Sequence, residues 1–116
     1  MTTAHLYLRG RDCGVAVTVA DTSRTRMRGL LGRDHLPSGE ALLIKRCGAV
    51  HTFGMRFAID IVFLDRHQRV VAIHHDVPKR RVLFNLRARQ TLEMTAGGAR
   101  RQSLSVGDSL VFGAAQ

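Results

Sequence analysis

The residues best equipped for chemistry cluster around one stretch, Cys47 to Asp65, which reads C-G-A-V-H-T-F-G-M-R-F-A-I-D-I-V-F-L-D. Cys47 and His51 pair a thiol with an imidazole four residues apart, a donor set suited to zinc or copper. The same pair could serve as nucleophile and base, given a lowered thiol pKa and an oxyanion hole. On a helix this spacing puts both side chains on one face, whereas in an extended chain it separates them by about 13 Å. Asp60 interrupts an apolar run, and such a carboxylate must accept hydrogen bonds, face a basic side chain or line a ligand pocket. With Glu93 and Asp108 it makes a set of acids that would suit paired-carboxylate hydrolysis if they converged. The simpler reading puts Glu93 at a strand end as a hydrogen-bonding residue and Asp108 in a turn after Gly107. His51 likewise reads first as a hydrogen-bonded structural residue. Cys47, His51, Met55, Asp60 and Glu93 are together the candidate pocket.

The elements that must position these residues follow from periodicity. Ile59, Ile61 and Phe63 alternate with Ala58, Val62 and Leu64, so both faces of the segment are apolar and it predicts an internal strand. Asp65 to Gln68 reads as a turn and Arg69 to His74 as the returning strand of a hairpin. Upstream, Leu6 and Leu8 suggest a first strand, and Val15, Val17 and Val19 share one face of a second. Asp21, Thr22 and Ser23 can cap a helix carrying Met27, Leu30 and Leu31, with Gly32 as its stop. Ala41 to Ile44, Val82 to Asn85, Thr91 to Met94 and Ser109 to Phe112 are further extended segments. Thr95 is a candidate cap for a helical turn over Ala96 to Arg101, and Leu104 and Val106 are assigned to the core. The expected fold is mainly β within the α+β class. It is a small, curved, mostly antiparallel sheet, barrel-like or β-clip-like, with one or two short helices.

Composition bounds the function. The 116 residues suit a single domain, 1–116, with a modest core. The formal charge is +9, from 18 basic and 9 acidic residues, and only Lys45 and Lys79 are lysine. Arginine suits bidentate contacts with phosphate and carboxylate, which makes a small anionic ligand the expected partner class, with Arg24, Arg28, Arg80 and Arg81 as candidate contacts. One tyrosine and no tryptophan give no stacking platform for single strands, and no helix-turn-helix or zinc-finger pattern occurs, so nucleic acid is not the expected partner. Two distant cysteines, Cys13 and Cys47, make neither a disulfide framework nor a structural zinc knot and are expected as free thiols. No cofactor fingerprint, signal peptide or membrane span is visible, so the expectation is a cytoplasmic monomer or weak homodimer without metal or cofactor.

Four fragments in order, R-G-L-L-G-R at 28–33, H-T-F-G-M-R-F-A-I-D-I-V-F-L-D at 51–65, L-E-M-T-A-G-G at 92–98 and S-V-G-D-S-L at 105–110, resemble the DUF192 family of small uncharacterised proteins. The resemblance covers about residues 13 to 112. It implies one compact barrel-like or clipped β domain and no established activity. Arg28, Gly29, Leu30, Arg33, His51, Met55, Asp60, Glu93, Gly97, Gly107 and Asp108 match the family's recurrent pattern. Many relatives carry a tryptophan-containing segment before the aspartate strand, where this chain has Phe53, Gly54 and Ala58. Two functions are therefore expected as alternatives: a non-enzymatic small-ligand-binding or accessory domain, or a hydrolase or metal-dependent protein using Cys47, His51 and Asp60. A basic surface for nucleic acid or other polyanions is the third.

Overall fold

The apolar run folds as an extended strand, Ile59–Leu64, with all six residues buried. A computed structural model describes residues 2–22, 30 and 32–114. Among the described residues the strands are β1 (Thr2–Leu8), β2 (Arg11–Ala20), β3 (Glu40–Lys45), β4 (Ala49–His51), β5 (Ile59–Leu64), β6 (Val70–Val77), β7 (Val82–Phe84), β8 (Gln90–Thr95) and β9 (Leu110–Gly113), with a helical turn, α1 (Gly98–Arg101), between β8 and β9. Seven strands form one curved sheet in the order β6-β5-β8-β3-β2-β1-β9, while β4 and β7 pair as a separate ribbon. All pairs are antiparallel except β2 with β3. The architecture is a half-barrel of the α+β class. An isolated bridge between Arg69 and Ser109 brings the two sheet edges together, reinforced by the Val70 amide on the Asp108 carbonyl at 2.8 Å.

The sheet separates two apolar clusters. Val15, Val17, Val62, Leu64, Leu92 and Met94 lie on the concave side with Leu6, Ala99 and Leu110. Ile59, Ile61 and Phe63 lie on the other with Leu42, Ile44, Leu36 and Met55. This is the alternation expected for residues 58–64, and it explains why β5 must be internal: each fully buried aliphatic side chain contributes about 2 kcal/mol that an edge strand would forfeit on one face. The β4–β7 ribbon covers part of the second cluster through Val50 and Leu83.

Turn chemistry fits the hairpins. Arg9 and Gly10 both have positive φ, 53° and 74°, which a two-residue connection between twisted strands requires. The β5–β6 turn, whose type the residues left open, places Gln68 at φ 64° and closes through the Asp65 amide on the Arg69 carbonyl. Three expectations change. Thr95 belongs to β8, and the cap position of α1 is Gly97 at φ 87° with no side-chain bond, because the chain must reverse sharply there. Val106 is exposed while Leu104 is buried, since 106 falls in the turn that precedes β9. Glu93 sits inside β8, not at a strand end. The helix expected after Ala20, with Arg24, Met27, Arg28 and Leu31, lies outside the described residues.

Candidate functional site

Asp60 is fully buried, and its carboxylate is held by backbone amides. Ile59 pairs with Val77 and Ile61 with His74, so Asp60 alone faces two residues, His75 and Asp76, across a β-bulge. A bulge leaves an amide without a ladder partner. Asp60 Oδ1 accepts that amide, from Asp76, at 2.8 Å, and the left-handed φ of 52° at Asp76 turns the N–H inward. Oδ2 accepts the Ala99 amide at 3.0 Å, one of the donors that a helix's first turn cannot satisfy internally. His75 Nδ1 lies 3.8 Å from the same oxygen. Asp60 thus ties the bulge in β6 to α1.

Glu93 is one register step away and on the opposite side of the sheet. Asp60 is paired with Met94, and Glu93 with Ile61 on β5 and Leu42 on β3. Direct partners share a face and neighbours along a strand alternate. The Glu93 carboxyl therefore points into the second apolar cluster, between Leu42 and Ile61, and no described residue donates a hydrogen bond to it. Burial pushes its pKa up to about 7. Asp108 is on neither face: its Oδ2 accepts the Ser105 amide at 2.8 Å in the turn, and Arg9 Nη2 lies 3.3 Å from its Oδ1. The three acids do not share a cleft.

The remaining candidates divide as well. His51 is exposed on the outer face of the β4–β7 ribbon, where it pairs with Val82 and its ring lies 6.2 Å from that of Phe53. Met55 is buried in the second cluster. The Cys47 thiol donates to the Ala49 carbonyl at 3.0 Å and packs against the same cluster. Its segment is threaded closely: a Cβ at Gly48 would come within 2.9 Å of the Ala88 carbonyl oxygen. Cys47, His51 and Asp60 are thus a half-buried thiol, a surface imidazole and a carboxylate inside the half-barrel. Both cysteines are free, and burial raises the Cys13 thiol pKa. Among the described residues no three His, Cys, Asp or Glu side chains are grouped to hold a metal ion.

The structure instead forms an apolar groove on the ribbon's outer face. Ala49, Val50, His51, Phe53 and Val82 line an open depression of about 460 Å³. Phe53, Val82 and Phe84 are 50%, 66% and 68% exposed, which is a large outlay of apolar surface for 116 residues. Thr52, which carries no signal in the sequence beyond its place in the H-T-F-G-M fragment, anchors a basic loop beside the groove. Its buried hydroxyl donates to the Pro78 carbonyl at 2.7 Å and accepts the Arg81 amide at 2.8 Å, and its own amide donates to the Arg81 carbonyl at 2.8 Å. Lys79, Arg80 and Arg81 are held there, all exposed, and none has an ion pair among the described residues. Replacing Thr52 with valine keeps the shape and leaves two part-buried backbone groups, the Pro78 carbonyl and the Arg81 amide, without their partner. We expect a loss of about 2 kcal/mol in urea unfolding, with serine restoring most of it. An unchanged midpoint for the valine variant would remove the anchoring role.

The fold and these sites describe a small half-barrel protein with a polar brace inside and an apolar groove outside. The chain belongs to the DUF192 family, described as an uncharacterized ACR, whose model matches residues 6–112. No curated protein matches it. Two solved structures are similar. One is a "putative transcription regulator" from Sinorhizobium meliloti 1021, with a TM-score of 0.85 at 20% identity over 96% of this chain and 94% of that one. The other is a protein of unknown function from Novosphingobium aromaticivorans DSM 12444, with a TM-score of 0.79 at 19% identity over 94% of this chain and 83% of that one. At such identities the likeness concerns the fold. No helix among the described residues is long and apolar enough to cross a membrane.

Proposed function

We propose that this protein is a non-enzymatic ligand-binding module whose site is the groove on the β4–β7 ribbon. The ligand class is a small molecule with an apolar body and one anionic group. The observation that carries the reading is the juxtaposition of exposed Phe53 and Val82 with a basic loop, Lys79 to Arg81, that Thr52 pins beside them. The apolar body displaces water from Val82, Phe53 and the His51 ring, and the anion meets the guanidinium groups of Arg80 and Arg81.

Anilinonaphthalene sulfonate has this chemistry and reports binding by fluorescence. Saturable binding to the folded protein is expected, weakened about tenfold by Val82→Glu, which puts a carboxylate in the groove. Arg80→Ala with Arg81→Ala should weaken it about threefold at low salt and less at high salt. Equal affinity in a folded Val82→Glu variant rules the groove out.

A polyanion-binding reading draws on the net charge of +9 and on the description of the Sinorhizobium meliloti structure as a "putative transcription regulator". It requires duplex DNA affinity that falls steeply with salt. A reaction through Cys47, His51 and Asp60 has less support, since those groups lie on three different parts of the fold and both Asp60 oxygens already accept amides.

A further inference from the structure

A second concavity lies where the β5–β6 turn meets the β7–β8 turn, and nothing in the groove reading involves it. It is lined by Asp65, Arg66, His67, Leu86, Arg87 and Arg89 and encloses about 420 Å³. Its lining carries three arginines to one carboxylate, a local excess of positive charge.

The walls are fixed in advance. The Arg89 amide donates to the Leu64 carbonyl at 2.7 Å, which pins the two turns side by side. In the first turn Asp65 Oδ1 accepts the His67 amide at 2.8 Å and the Arg69 amide at 3.0 Å. These bonds, that of Arg69 foremost, hold the Asp65 carboxyl below its ordinary pKa and direct one oxygen to its own backbone. In the second turn Asn85 Oδ1 accepts the Arg87 amide at 2.9 Å. Arg89 Nη1 donates to the Leu86 and Ala88 carbonyls at 3.1 and 3.0 Å, so its guanidinium is oriented without any carboxylate partner. Arg66 Nε donates to His67 Nε2 at 3.2 Å, leaving both of its Nη groups available. Arg87 has no side-chain partner among the described residues. An oriented guanidinium loses less freedom on binding an oxyanion, and arginine forks match phosphate oxygens in pairs.

We infer that this cleft binds the phosphate or diphosphate group of a small phosphorylated molecule, through Arg66, Arg87 and Arg89. The basic groups converge on one hollow between two turns, whereas a nucleic-acid backbone is tracked by an extended stripe. Leu86, 86% exposed at the rim, offers apolar contact to the ligand's remaining part.

Inorganic pyrophosphate is the probe, titrated by calorimetry and by amide chemical shifts at low salt. Saturable binding is expected, with shifts centred on residues 65–69 and 85–89. Arg66→Ala with Arg87→Ala, both exposed positions, should weaken it at least about tenfold. Arg100→Ala with Arg101→Ala, two exposed arginines on α1 that belong to neither site, should leave it unchanged. Equal weakening by both pairs would reduce the effect to net charge and overturn the site. So would the absence of saturation, an unaltered affinity in the Arg66 and Arg87 variant, or much tighter binding of a single-stranded oligonucleotide. Sulfonate binding in the groove is read separately, so failure of either site leaves the other standing.

Discussion

Asp60→Ala should cost about 4 kcal/mol of stability, the largest single-residue loss outside the apolar core. The substitution strands two buried amides, those of Asp76 and Ala99, and empties the space between them. Each orphaned donor costs about 1–3 kcal/mol, and small folded proteins hold only about 5–15 kcal/mol in reserve. Asp60→Asn keeps the volume and one acceptor but turns an N–H₂ toward the other amide, so about half the loss is expected. Urea unfolding followed by far-ultraviolet circular dichroism measures both, since the chain has no tryptophan. Amide exchange adds the location: protection at Asp76 and Ala99 should fall first. A loss below about 1 kcal/mol for the alanine variant would mean that water or a shifted backbone satisfies those amides, and the brace would be dispensable.

Glu93→Gln should stabilise the protein at pH 8 and leave it nearly unchanged at pH 4. The pKa of Glu93 is raised by burial from 4.5 to about 7 in the folded protein. Between those values the folded state binds more protons than the unfolded one, so stability falls as pH rises. It is highest below about 4.5 and reaches its low plateau above about 7. The full span is at most about 3.5 kcal/mol at 1.4 kcal/mol per pH unit. Glutamine, neutral throughout, removes that slope. Its advantage should grow from pH 4 to pH 8 and then level off, worth roughly 4 °C in melting temperature per kcal/mol. A difference between the two proteins that stays flat with pH would show that Glu93 is ionised and solvated in the fold.

Both effects come from carboxylates adjacent in register, and they differ because the sheet separates them. The alternation of residues 58–64 already assigns Ile59, Ile61 and Phe63 to one side and Asp60 to the other, and an internal strand follows from its two apolar faces. The valines at 15, 17 and 19, the curved antiparallel sheet and the resemblance to DUF192 were legible in the same way. The candidate pocket was not. Cys47, His51, Met55, Asp60 and Glu93 are near one another in the chain or in the family pattern, but nearness in sequence does not give the face on which a side chain emerges. His51 ends on an outer ribbon, Met55 in a core and Asp60 inside the half-barrel.

What the sequence determined by itself is local: which residues are extended, which face of each strand is apolar, and that a carboxylate among them needs donors. Only the tertiary structure decided which donors those are. The bulge that frees the Asp76 amide exists because β6 is one residue longer than its partner between two paired positions, and Ala99 reaches Asp60 across 39 residues of chain. The meeting of the 65–69 and 85–89 turns is equally non-local. Strand register is set by the sum of many side-chain contacts between distant segments, and no window of sequence contains that sum.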